Sequence, residues 1–135
     1  MTTRFLLDTN ALSQLVRDPR GTVGTRLREV GDSNVFTSII VACELRYGAR
    51  KRGSAALTER VERLLASIDV APLESGVDPL YAEIRHELES KGTPIGSNDL
   101  LIAAHALEQR ATLVTDNVAE FQRVPGLHIE NWVRP

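Results

Sequence analysis

The pattern of hydrophobic and polar positions divides the chain into short apolar runs and longer amphipathic segments. The short runs predict strands at residues 4–7, 35–37, 70–73, 111–115 and 127–130. In the longer segments apolar residues recur every three or four positions, which predicts helices at residues 11–16, 21–30, 39–50, 55–67, 80–91 and 99–110. Strands that alternate with helices are typical of an α/β fold in which helices cover both faces of a parallel sheet.

The helix predicted at residues 99–110 differs from the others because its core segment is apolar nearly all round. Only His105 interrupts the apolar sequence of residues 100–107. We therefore expect this helix to lie at the centre of the fold. Ser97 or Asn98 is expected to cap its N-terminus.

Length and composition predict one globular domain that spans residues 1–135. The chain shows no repeat, low-complexity tract or linker, and 42% of its residues are hydrophobic while 25% are charged. No apolar run is long enough for a signal peptide or a membrane span, so we expect a cytoplasmic protein. The one cysteine, Cys43, stands in an apolar stretch and is expected in the core.

Four carboxylates stand at the edges of apolar runs that are far apart in the chain: Asp8, Glu44, Asp99 and Asp116. Acids rarely lie against a core without a compensating partner. If the fold gathers these side chains, two carboxylates at about 4 Å repel each other by roughly 4 kcal/mol at an effective dielectric constant near 20. A divalent cation is the simplest way to relieve that repulsion.

Each acid also has a simpler interpretation. Asp8 and Asp116 follow predicted strands, where ligands bind in parallel sheets but where Asp is also a common turn residue. Glu44 shares a helical face with apolar neighbours, which fits either a site in a cleft or an internal salt bridge. Asp99 begins an apolar helix, where capping alone could account for it. Taken together, the acids favour Mg²⁺ or Mn²⁺, because zinc would call for His or Cys ligands.

Four ordered motifs resemble those of PIN-domain ribonucleases. They are LDTN at residues 7–10, ACELRYG at 42–48, GSNDLLIAAHA at 96–106 and LVTDN at 113–117. The length of the chain and its ending, FQRVPGL at 121–127 followed by ENW at 130–132, more narrowly resemble VapC-type toxins of bacterial toxin–antitoxin pairs. The resemblance covers essentially the whole chain.

The resemblance implies a three-layer α/β/α sandwich with a central, mainly parallel sheet. It also implies a Mg²⁺- or Mn²⁺-dependent endoribonuclease, usually a homodimer, that a cognate antitoxin silences. The first three acids of the family carry over to Asp8, Glu44 and Asp99. The fourth position stays open between Asp116, which we take as the catalytic candidate, and Asn117 or Glu120.

The resulting hypothesis is hydrolysis of an RNA phosphodiester by a metal-activated water. Asp8 and Asp99 would be the main metal ligands, and Glu44 would complete the cluster or orient the water. Short polar side chains are expected to fix the carboxylates by hydrogen bonds: Thr9, Asn10, Ser97, Asn98, Thr115 and Asn117.

A net charge of −2 gives no global positive field, so RNA must be met by a local basic cluster. The densest one follows Glu44 on the same predicted helix and comprises Arg46, Arg50, Lys51 and Arg52. A solvated surface, or pairing with an antitoxin carboxylate, accounts for these residues equally well.

Two other classes of function fit the sequence less well. An aspartyl-phosphate phosphatase or a receiver domain would need a well-placed Lys, yet the only lysines are Lys51 and Lys91. An inactive PIN-like module that binds RNA or protein remains the alternative, although the three core acids argue for activity.

Overall fold

Five short strands form one parallel sheet at the centre of the computed structural model, which describes residues 2–135. The strands are β1 (Phe5–Leu7), β2 (Val35–Ser38), β3 (Asp69–Ala71), β4 (Thr112–Val114) and β5 (Ile129–Glu130). Their order across the sheet is β3-β2-β1-β4-β5, and all four pairings are parallel. The predicted α/β/α sandwich with a parallel sheet is confirmed.

The helices that the described residues form are α1 (Thr9–Arg17), α2 (Thr22–Val30), α3 (Ile39–Arg52), α4 (Ala55–Ser67), α5 (Val77–Ser90), α6 (Ser97–Glu108) and α7 (Val118–Phe121). Helix α5 begins three residues before its predicted start. Helix α7 was not predicted, because four residues are too few for a helical period to show. No helix within residues 2–135 is both long and apolar enough to cross a membrane.

The core lies on both sides of the central strand. All three residues of β1 are buried, and so are the neighbouring Leu113 and Val114 of β4. Helix α6 is central as expected, since Ile102, Ala103 and Ala104 are completely buried. Strands buried on both faces read as continuous apolar runs, which is why the sequence revealed them.

Two local expectations were wrong. Cys43 is exposed, because α3 buries a face that contains Val41, Ala42, Leu45 and Ala49, and Cys43 points away from that face. The N-cap of α6 is Gly96 and not Ser97 or Asn98, both of which lie inside the first turn without a capping side-chain hydrogen bond.

Successive strands are added on opposite sides of β1. From β1 the chain passes to β2 on one side, and later returns to β4 on the other. In parallel sheets the crevice beyond the carboxyl ends of the strands at such a point is where ligands bind. The residues that follow β1 and β4, and the helices α1 and α3 that begin at this edge, therefore frame the candidate site.

Two glycines in helices test how closely the chain is packed. A Cβ atom on Gly24 of α2 would lie 2.1 Å from the carbonyl oxygen of Pro19, whereas one on Gly48 of α3 would meet nothing within 4 Å. We expect Gly24→Ala to lower the free energy of unfolding by about 1–3 kcal/mol. The matched change Gly48→Ala should raise it by about 0.5–1 kcal/mol, because alanine loses less entropy in a helix. Urea denaturation of both variants measures the difference, and equal effects would contradict the packing described.

Candidate active site

Asp8 is a buried carboxylate held by three hydrogen-bond donors. It is the N-cap of α1, directly after β1, and its side chain is only 4% exposed. Its Oδ1 accepts the backbone N–H of Thr9 at 2.8 Å, while Oδ2 accepts the Thr115 hydroxyl at 2.7 Å and the Asn10 amide at 3.2 Å. Burial raises the pKa of Asp8 although these donors oppose it, and the charge of Glu44 adds to the rise. The carboxylate is thus fixed in place but costly to ionise.

Glu44 is joined to Asp8 through a single residue. The Thr9 hydroxyl donates to Oε1 of Glu44 at 2.6 Å, while the backbone N–H of Thr9 donates to Asp8. Glu44 lies in α3 and is half-buried, as its apolar helical face predicted. Its Oε2 accepts no hydrogen bond from residues 2–135 and is free for another partner.

Asp99 and Glu120 form a second pair of acids at the N-terminus of α6. Oε1 of Glu120 accepts the backbone N–H of Gly96 at 3.1 Å, and Oε2 accepts the side-chain amide of Asn117. Burial, a hydrogen bond to Glu120 and the charges of Glu120, Asp8 and Glu44 raise the pKa of Asp99 to about 8. The pKa of Glu120 is lowered, first of all by the hydrogen bond from Asp99. The two carboxyl groups therefore hold one proton between them.

The carboxylate of Asp116 contacts Arg134 and Asn131 and none of the other acids. Its two oxygens accept Nε and Nη2 of Arg134 at 2.8 and 2.9 Å, and Oδ1 also accepts the Asn131 amide at 3.1 Å. Arg134 lowers the pKa of Asp116 through these hydrogen bonds. The backbone N–H of Asp116 donates to Oδ1 of Asn10 at 2.8 Å, and Asn10 in turn contacts Asp8. As it stands, this carboxylate binds an arginine and not the other acids.

Most of the polar residues predicted to fix the carboxylates do contact them. Thr9, Asn10 and Thr115 hydrogen-bond to the acids of the site as described, and Asn117 contacts Glu120. The Thr115 hydroxyl also accepts the backbone N–H of Asn117 at 3.0 Å, which shapes the turn after β4. Ser97 and Asn98 are exposed, and within the described part of the chain their side chains make no hydrogen bond. They form the outer surface of the α6 N-terminus.

The basic cluster predicted on α3 is divided by the structure. Nε and Nη2 of Arg46 donate to the two carboxylate oxygens of Glu62 in α4, both at 2.9 Å. Because α3 and α4 are neighbours, the guanidinium of Arg46 is already bound to Glu62. Arg50, Lys51 and Arg52 are exposed in the last turn of α3 and belong to no ion pair among residues 2–135.

The four acids that face the crevice are Asp8, Glu44, Asp99 and Glu120, and we call them the acid cluster. Within residues 2–135 none of them forms an ion pair with a basic side chain, unlike Asp116 and Glu62. Nor do any three acidic, His or Cys side chains of this region stand close enough together to ligate one ion. This spacing is consistent with the repulsion between carboxylates that no cation screens.

The chemistry of the acid cluster nevertheless fits a hard divalent cation. All of its donors are oxygens, and two further oxygens, the hydroxyls of Thr9 and Thr115, hold the carboxylates in place. Ligands must be deprotonated to bind a metal ion, so the Asp99 proton has to leave first. A cation would offset the repulsion that raises the pKa of Asp99.

A large cavity of about 830 Å³ lies away from these acids. It is lined by residues of α1, α2 and α4 and by Arg4 and Asp69, which stand at the amino ends of the strands. None of the acid cluster lines it. The candidate site is thus identified by its charge and its position on the sheet, and not by the presence of this cavity.

Glu120 is the residue that the sequence left least defined. Its signal was the spacing Asn117-x-x-Glu120, since an Asn followed three residues later by Glu is typical of a helix N-terminus. Asn117 is the N-cap residue of α7. The sequence did not predict the contacts of Arg134 and Asn131, because nothing near these residues indicates that they bind Asp116.

Comparison with known proteins finds a matching domain family and relatives that are named ribonucleases. The PIN domain profile matches residues 5–127. Ribonuclease VapC2 of Rickettsia felis is 36% identical over 130 residues, covering 95% of this chain and 97% of the relative. The tRNA(fMet)-specific endonuclease VapC of Salmonella typhimurium is 34% identical over 133 residues, covering 96% and 98%. The crystal structure of VapBC2 from Rickettsia felis bound to a promoter DNA fragment contains a chain that matches with a TM-score of 0.87 and 35% identity, covering 96% of this chain and 99% of that one.

The raised pKa of Asp99 predicts how stability depends on pH. An unfolded Asp loses its proton near pH 4, whereas folded Asp99 keeps it until about pH 8. Between these values folded Asp99 binds more protons than unfolded Asp99, so this group should lower the free energy of unfolding of the metal-free protein as the pH rises from about 4 to about 8, and the effect should then level off. Asp99→Asn should flatten this decline, as measured by urea denaturation in EDTA at several pH values.

Asp18→Asn is the control, because Asp18 is exposed and lies outside the acid cluster. This variant should keep the slope of the parent protein. An Asp99→Asn slope equal to that of the parent would contradict the protonated Asp99.

Proposed function

The chain belongs to the PIN-domain family, and from that premise we propose that it is an endoribonuclease toxin that a cognate antitoxin inhibits. The observation that supports this proposal most is the acid cluster beside β1 and β4. None of its carboxylates forms an ion pair with a basic side chain of residues 2–135. Relatives that match nearly the full chain are named ribonucleases or tRNA endonucleases. Similar solved structures are toxin–antitoxin complexes, which supports a protein antitoxin as partner.

We propose that Asp8 and Asp99 hold a divalent cation, Mg²⁺ or Mn²⁺. Bound there, such an ion would neutralise phosphate charge and lower the pKa of a water molecule. Asp8 suits this role because three donors fix its carboxylate before any ligand arrives. Asp99 suits it because removal of its proton turns a neutral side chain into a charged ligand.

We assign to Glu44 the role of activating the attacking water molecule. Its Oε1 is held by the Thr9 hydroxyl at 2.6 Å, which fixes the orientation of the carboxylate. Its Oε2 stays free to accept a hydrogen bond, and then a proton, from that water. The in-line attack would form a bond from the water oxygen to phosphorus and break the bond to the leaving oxygen, which would take up a proton from solvent.

Glu120 takes the fourth acidic position in this proposal, in place of Asp116. Glu120 shares a proton with Asp99 and accepts the backbone N–H of Gly96. Asp116 is bound by Arg134 and Asn131. Glu120 would therefore support Asp99 and add a negative charge for the cation.

The relatives also indicate an RNA with which to begin. Two of them are named as tRNA(fMet)-specific endonucleases, at 34% and 32% identity. We propose a structured RNA as the substrate class and initiator tRNA as its first member. The exposed Arg50, Lys51 and Arg52 at the end of α3 are candidates for contacts with its backbone.

Cleavage of initiator tRNA tests the proposal directly. The purified protein with Mg²⁺ or Mn²⁺ should cut it at a defined position, and EDTA should stop the reaction. Asp99→Asn should lower kcat/KM by more than about 100-fold, because even groups that only orient a metal ligand account for 10–100-fold. Gel analysis of end-labelled RNA gives the rates, with Asp18→Asn as the control that should cut normally.

Two results would contradict an endoribonuclease. One is cleavage that persists in EDTA and in the Asp99→Asn variant, which indicates a contaminating nuclease. The other is binding of RNA without cleavage of tRNA, rRNA or mRNA by the parent protein with either metal ion, which indicates an inactive binding module.

Glu120 and Asp116 are distinguished by metal binding. Glu120→Gln should weaken Mn²⁺ binding about 10-fold or more, because it removes a charge next to Asp99. Asp116→Asn should leave Mn²⁺ affinity within about 2-fold, since its carboxylate is bound by Arg134. Mn²⁺ titration followed by electron paramagnetic resonance measures both, and the reverse order of effects would return the fourth position to Asp116.

A further inference from the structure

We propose that Arg134, held in position by Asp116, binds a phosphate of the RNA substrate at the edge of the acid cluster. This inference rests on the proposed endoribonuclease function and adds a substrate-binding residue to it. Asp116 then acts as a positioning residue and not as a metal ligand. The sequence motif places Asp116 beside the site, and the structure gives its carboxylate a different partner.

The C-terminal tail that carries Arg134 is anchored to the sheet. Trp132 is 3% exposed and packs against Phe5 of β1 with ring centroids 5.1 Å apart. Oδ1 of Asn131 accepts the backbone N–H groups of Val133 and Arg134, both at 2.9 Å. These contacts fix the direction of the chain up to the backbone of Arg134.

Asp116 then fixes the guanidinium group itself. It accepts Nε and Nη2 of Arg134, a two-point contact that sets the plane of the group. The Arg134 side chain is 77% exposed, whereas that of Asp116 is only 23% exposed. A guanidinium has five N–H donors and this contact uses two, so the remaining donors are directed to solvent. The arrangement is a rigid, outward-facing donor group.

A short chain of hydrogen bonds connects this group to the acid cluster. The backbone N–H of Asp116 donates to Oδ1 of Asn10, and Nδ2 of the same amide donates to Oδ2 of Asp8. Asp116 also follows directly after Thr115, whose hydroxyl binds the same oxygen of Asp8. Arg134 is therefore connected through Asp116 and Asn10 to Asp8, the carboxylate proposed to bind the metal ion.

Charge and exposure both favour a ligand for Arg134. Phosphate approaching the acid cluster meets several carboxylates, and a fixed guanidinium beside them supplies donors for the neighbouring phosphate. An ion pair this exposed adds little to the stability of the fold, so anchoring the tail does not explain it well. Because the donors are already oriented, binding loses less side-chain entropy than with a free arginine.

RNA binding by variants that cannot cleave tests this proposal. In the Asp99→Asn protein with Mg²⁺, Arg134→Gln should weaken binding of labelled initiator tRNA by several-fold to about 10-fold. It should also lower the slope of log Kd against log salt by about 0.7 to 1, as expected for the loss of one phosphate contact. Arg134→Lys keeps the charge and should restore the slope while recovering only part of the affinity.

Arg63→Gln is the matched control. Arg63 is also an exposed arginine in an ion pair, with Glu59, and its side chain is 72% exposed. It lines the large cavity together with Arg4 and Asp69, at the amino ends of the strands and away from the acid cluster. This variant should bind RNA like its Asp99→Asn parent.

A double-mutant cycle tests the role assigned to Asp116. If Asp116 acts through Arg134, Asp116→Asn weakens RNA binding in the Asp99→Asn protein but has no such effect once Arg134→Gln is present. If it acts independently, the two effects multiply. Multiplying effects would overturn the positioning role.

The outcomes separate this inference from the proposed function. Unchanged affinity and salt slope in Arg134→Gln, with only a lower melting temperature, would overturn it and leave Arg134 as a tail anchor. RNA cleavage by the parent protein would stand in that case. If the Asp99→Asn protein binds no RNA at all and the parent cuts none, the proposed function fails and this inference fails with it.

Discussion

Repulsion among carboxylates at one edge of the sheet is the constraint on which the site depends. Asp8, Glu44, Asp99 and Glu120 face the same crevice, and no basic side chain of residues 2–135 forms an ion pair with any of them. The protein relieves the repulsion in part by keeping a proton on Asp99, whose pKa is raised to about 8. A site that must hold a proton when empty is suited to exchange that proton for a cation.

A few hydrogen bonds hold these acids in position. Asp8 follows the central strand and caps α1, and Thr9 joins it to Glu44 of α3 by its backbone N–H and its hydroxyl. Thr115, after β4, donates to the same carboxylate from the other side. The central strand, the strand beside it and two helices therefore meet at Asp8.

Much of this could be predicted from the sequence because the deciding signals are local. Apolar runs identified the strands, and an acid directly after a strand falls at the carboxyl edge, as Asp8 does. The sequence was less informative where the deciding contact is distant or the element is short. Cys43 lies on the outer face of a helix whose other apolar residues are buried. The partner of Asp116 is 18 residues away in the tail, and Glu120 lies in a helix of four residues.

Calorimetric titration of the protein with Mn²⁺ at pH 7, in two buffers of different ionisation enthalpy, tests the central claim most directly. The acid cluster predicts that Mn²⁺ binds and that about one proton is released, because Asp99 is largely protonated at that pH. The Asp99→Asn variant should lose both the binding and the proton release. Binding without proton release, or equal binding by the variant, would contradict the account.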